Sequence, residues 1–191
     1  MTTADTFAAY RPALEAALTR TLDSLSTSHV VLLTHQLESG ASRDAGLLCL
    51  LAADALGVAP GAAEPAAVAL SLLDAMAVTF AGLDEQGAPL SRYGMPRSLN
   101  AGDGFYALAQ SALLHATDAG EAGQRMAAVD LLDATCRAHA EDLRLAATGA
   151  APAYSLRSAA VEFAALAAGV STASLPPGAR AKIDAALQAL A

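Results

Sequence analysis

From Pro65 to Leu83 the chain reads PAAVALSLLDAMAVTFAGL and carries a single charge, Asp74. A helix that is apolar on every side has two homes, a bilayer or the centre of a protein. The run is nearly long enough to span a bilayer, but a carboxylate at mid-span is expensive there, and no Lys or Arg anchors either flank. What remains is a core helix wrapped by others, with no transmembrane segment.

The rest of the chain supplies those others. Helical periodicity runs throughout and no alternating strand is visible. Hydrophobic residues make up 54% of the 191, aromatic residues only 4%, and Trp is absent. The core must therefore be built from Ala, Leu and Val, which suits closely packed helices. Gly and Pro divide the pattern. A first helix is expected over about Asp5 to Ser24, and a second after the capping residues Ser26, Thr27 and Ser28, stopping at Gly40. The third opens at Asp44 and closes on Gly57 as a left-handed cap. The fourth runs from Pro65 to about Gly82, a loop covers Leu83 to Leu99, and the fifth occupies Ala101 to Ala116. The sixth and longest spans Glu121 to Gly149, a seventh runs from Tyr154 to Gly169, and Pro177 opens the last. The expectation is one all-α domain over residues 1–191, a bundle of about eight helices with short connections.

Charge and motif order exclude several functions. The net charge is −8 and Lys182 is the only lysine, so no basic stripe exists for a nucleic acid. Cys49 and Cys136 sit singly in apolar helical runs, where a thiol behaves as a small hydrophobe. A disulfide-free cytoplasmic protein is expected, and the N-terminal stretch lacks the basic-then-apolar pattern of a signal peptide. No Ser-His-Asp or Cys-His order suggests a nucleophile, and no Gly-rich loop follows a strand.

Five segments, in order, carry a resemblance: SGASRDAGLLCLLAADALG from Ser39, the fourth helix with its exit Arg92-Tyr93-Gly94-Met95-Pro96, LNAGDGFYALAQSALL from Leu99, CRAHAEDLRLAATG from Cys136, and VEFAALAAGVS from Val161. Together they resemble the trans-isoprenyl diphosphate synthases, the polyprenyl synthetase family. That resemblance implies an isoprenoid-synthase-like bundle, truncated at the C-terminus before the family's second aspartate-rich motif. It also implies a first aspartate-rich motif at the end of the fourth helix. Counted back from Arg92, the longer form of that motif falls on Ala81, Gly82 and Gly87, and the shorter keeps only Asp84. His139 and Asp142 stand at the family's Gln and Asp positions, and Arg43 and Arg92 are the basic residues left for a diphosphate.

The family's reaction ionises an allylic diphosphate and couples it to isopentenyl diphosphate, and its leaving group needs magnesium held by carboxylates. With Ala81 and Gly82 at the leading aspartate positions, the chain is expected to be catalytically inactive, with no catalytic residue, no protein metal site and no cofactor; magnesium would matter only if activity were retained. The resemblance then implies a non-catalytic or regulatory subunit in isoprenoid metabolism, a homodimer or a heterodimer with an active prenyl synthase, joined through helices that include AGDGFYALAQSALL. Two alternatives stand beside it. One is an atypical prenyl transferase or terpene cyclase using Asp74, Asp84, Glu85 and Asp142 as replacement acids; the other is a metal-free carrier of an isoprenoid, for whose chain the small residues Ala77, Ala81 and Gly82 leave room. Asp74, Asp84, Glu85, His139 and Asp142 are the expected polar residues of the central cavity.

Overall fold

The computed structural model describes residues 3–23, 34–35, 37, 43–84, 94–116, 122–147 and 156–190, with backbone alone for 3–6, 81–84 and 143–147. Among them are seven α-helices and no strand: α1 (Thr3–Asp23), α2 (Asp44–Ala55), α3 (Pro60–Asp84), α4 (Met95–Leu114), α5 (Ala122–Ala147), α6 (Leu156–Ala167) and α7 (Pro177–Leu190). A short 3-10 turn, Thr172–Ser174, precedes the last. The all-α architecture is as expected. The helix expected to end at Gly40 falls almost wholly outside the described residues.

The caps explain why the boundaries fall where they do. Gly57 follows α2 with φ of +75°, and Val58 N donates to Ala53 O at 2.9 Å while Gly57 N donates to Asp54 O at 3.0 Å. Gly169 repeats the pattern after α6, with Val170 N donating to Ala165 O at 3.0 Å. A residue with a Cβ is strained in that conformation, so each glycine fixes a helix end.

Two boundaries differ from expectation. The fourth helix begins at Pro60 rather than Pro65 and runs through Gly82 to Asp84. The next begins at Met95, inside the stretch expected to be loop. In both cases a proline lies near the helix start, where a missing N–H is tolerated: Pro60 opens α3, and Pro96 sits in the first turn of α4.

α2 and α3 form the centre. Every residue from Ala45 to Ala53 is buried, and α2 packs against α1, α3, α6 and α7. α3 is covered by α1, α2, α4, α5 and α6, most extensively by α4. It alone among the described helices is long and apolar enough to cross a membrane, and most of that stretch is buried by its neighbours. α2 and α3 approach closely at Gly46, where a Cβ would stand 2.4 Å from Ser71 Oγ and 2.6 Å from the Ala67 carbonyl oxygen.

Candidate functional site

The three helices α3, α4 and α5 have a mutual register that contacts define. Phe80 lies over Gly102, since a Cβ there would fall 2.3 Å from Phe80 Cε1. Tyr106 donates its hydroxyl to Asp133 Oδ1, and Gln110 Nε2 donates to the same oxygen at 3.3 Å. At the other end, Pro65 of α3, Leu113 of α4 and Ala128 of α5 line one small cavity. α4 is thus antiparallel to both neighbours. Two turns beyond Tyr106 and Asp133 stand Ser98 and Glu141, and one turn beyond Gly102 and Phe80 stand Ser98 and Asp84. The last turn of α3, Ser98, His139 and Asp142 therefore share one end of the bundle.

That end contains buried polar groups. Asp142 is 6% exposed and Ser98 1%. His139 is half-buried, yet its Nε2 is shielded from solvent and has no hydrogen-bond partner, as is Ser98 Oγ. Burial pulls the His139 pKa below the ordinary value, and the carboxylate of Asp142 only partly offsets it. Burial therefore favours the neutral imidazole. Thr135, one turn back on the same face of α5, is fully buried and donates to the Leu131 carbonyl at 2.7 Å. Asp74 lies half-buried further back along α3, with its Oδ2 shielded from solvent.

Ala81, Gly82 and Asp84 lie on the backbone of the last turn of α3. Glu85, Gly87 and Arg92 fall outside the described residues. Arg43 is placed elsewhere, at the start of α2, where it is 8% exposed. Its Nε meets Glu15 Oε1 at 3.1 Å and its Nη2 donates to the Leu37 carbonyl at 2.8 Å, tying α1 to the entry of α2. The sequence reading missed Glu15 as the partner of Arg43, and it missed Ser98 because that residue was assigned to a loop. Its spacing of four from Gly102 was the available signal.

At the end of α3 the positions of the longer motif offer magnesium no carboxylate, and the side chain of Asp84, which the shorter motif keeps, lies outside the described ones. Ala81, Gly82 and Gly87 carry no side-chain oxygen, whereas the ion prefers several hard oxygen ligands. Among the described residues no group of three His, Cys, Asp or Glu is placed to hold a metal ion. Three cavities lined by described residues lie at the N-terminal end of α3. Two are about 30 and 50 Å³, room for a water or two, and the third is an open cleft of about 260 Å³ beside Arg20, Glu64 and His115.

No protein-family model matches the chain, and no curated protein does. Solved structures do. A geranyltransferase from Legionella pneumophila is 20% identical with a TM-score of 0.72, covering 86% of this chain and 68% of its own. A geranylgeranyl pyrophosphate synthetase from the archaeon Geoglobus acetivorans is 17% identical at a TM-score of 0.77, over 88% of this chain and 61% of its own. A third, a geranylgeranyl pyrophosphate synthase, is 14% identical at 0.74, over 94% of this chain and 59% of its own. The fold is that of the isoprenyl diphosphate synthases. This chain spans about three fifths to two thirds of the length of those enzymes.

Proposed function

We propose that this chain is a catalytically inactive protein of the isoprenyl diphosphate synthase fold that acts by binding. Its role is that of a non-catalytic or regulatory subunit in isoprenoid metabolism, paired with a second copy or with an active prenyl synthase in the cytoplasm. The observation that carries this reading is the donor set at the end of α3, where the longer motif's positions hold Ala81, Gly82 and Gly87 and the shorter keeps only Asp84, against the several carboxylates that the metal of a diphosphate leaving group needs. The pairing of the buried Arg43 with Glu15 and Leu37 points the same way, because those guanidinium donors are used inside the bundle.

The binding half of the proposal draws on the outer face of α4 and α5. Met95, Leu99 and Leu114 on α4 and Met126 on α5 are 41–55% exposed, large apolar side chains on adjacent helices. Size exclusion with light scattering, alone and mixed with an active prenyl synthase, tests it. A dimer or a mixed complex weakened by Leu99→Asp is expected. A strict monomer that joins no prenyl synthase contradicts it.

The carrier reading is favoured by one specific observation, the two buried atoms without partners at Ser98 and His139.

A further inference from the structure

We propose that the open cleft between α1, α3 and α4 binds a small zwitterion of the α-amino acid class, held at its charged end by the Arg20–Glu64 pair. The cleft lies at the other end of α3 from the motif positions and needs no partner chain, so a failed association experiment leaves the inference standing.

Three observations carry it. The first is space. The three helices leave a cleft of about 260 Å³ between them. Liquid water takes about 30 Å³ per molecule, so there is room for roughly eight waters or one small organic molecule. Ala17 and Val68, almost wholly buried, form the floor with Pro65 and Ala112, an apolar bed for a side chain.

The second is the charge at the rim. Arg20 Nη2 meets Glu64 Oε1 at 2.7 Å, and the two side chains stay 60% and 37% exposed. That contact occupies one nitrogen of the guanidinium and one oxygen of the carboxylate. Among the described residues neither side chain has a further partner, so Arg20 keeps N–H groups for a carboxylate and Glu64 keeps Oε2 for an ammonium. An α-amino acid carries those two charges on one carbon, matching a cation and an anion set side by side. It also brings no net charge to a chain of −8.

The third is the opposite wall, which α4 supplies. Arg20 is the only Arg or Lys lining the cleft, so a lone anion would find one cation already shared with a carboxylate. Ser111 and His115 face it instead. His115 Nδ1 lies 3.0 Å from the Ser111 carbonyl oxygen, which only accepts, so the neutral ring carries its proton there and keeps Nε2 as an acceptor.

The experiment titrates the intact chain with L-leucine, and separately with isoamylamine, 4-methylpentanoate and inorganic phosphate, following the His115 ring resonances by NMR. Leucine is expected to shift the His115 signals and to leave those of His139, at the far end of the bundle, in place. The amine and the carboxylate, each lacking one charge, are expected to bind at least about tenfold more weakly. Arg20→Gln and Glu64→Gln are each expected to weaken leucine about tenfold, and both keep the fold because an exposed ion pair contributes little to it. His115 signals that stay unmoved up to about 10 mM leucine overturn the inference. So does an amine, carboxylate or phosphate that binds as tightly as leucine, or leucine binding that both substitutions leave intact.

Discussion

The centre of the bundle and the end where α3 finishes are built from the same helices by opposite rules. Around α2 and the first half of α3, side chains from Ala45 to Ala53 and from Ala66 to Leu73 are all buried, and every polar group there is small and satisfied locally, as when Ser71 Oγ donates to the Ala67 carbonyl at 2.9 Å. At the α3 terminus, buried polar atoms at Ser98 and His139 lack partners and large apolar residues such as Met95 and Leu99 face outward. The first region specifies a fold, because any change of volume is felt. The second departs from the rules of a stable core, and such departures concentrate where a protein binds.

Substitutions should separate the two regions in order of size. Leu48→Ala at the centre, where the side chain is wholly buried, is expected to lower unfolding free energy by about 2–5 kcal/mol in urea denaturation. Gly46→Ala comes next, at about 1–3 kcal/mol, because the new Cβ meets the rigid Ala67 carbonyl. Gly102→Ala meets only the rim of the half-buried Phe80 ring, which can turn aside, and should cost less; an equal cost would erase the contrast between the regions. Acid sensitivity follows. The folded chain holds His139 below the usual value of about 6.5, so the unfolded state takes up the proton first: stability is full above that value and falls as pH drops through and below it. His139→Gln should flatten this part of the curve in melts run between pH 7 and 5. Smallest is Ser98→Ala, which removes a buried hydroxyl without a partner and is expected to be neutral or stabilising by up to about 1 kcal/mol.

Much of the centre was legible in the sequence. The single charge between Pro65 and Leu83 identified the core helix, and Gly57 and Gly169 marked helix ends because only a left-handed cap needs them. The end where α3 finishes was less so. Pro96 and the Arg-x-Gly-x-Pro pattern read as a loop, which hid Ser98 in what is the first turn of α4. Arg43 read as an anion ligand, and nothing local announces Glu15, which arrives from a different helix. Periodicity reports which face of a helix is buried, but pairing between helices is a property of the assembled bundle.

The central claim is that the fold outlived the chemistry. Incubating the purified chain with geranyl diphosphate, radiolabelled isopentenyl diphosphate and magnesium tests it most directly. No labelled prenyl product should form from the chain alone. Magnesium-dependent turnover that is abolished by Asp84→Ala or Glu85→Ala would contradict it, and would show that replacement acids at the end of α3 still assemble a working metal site.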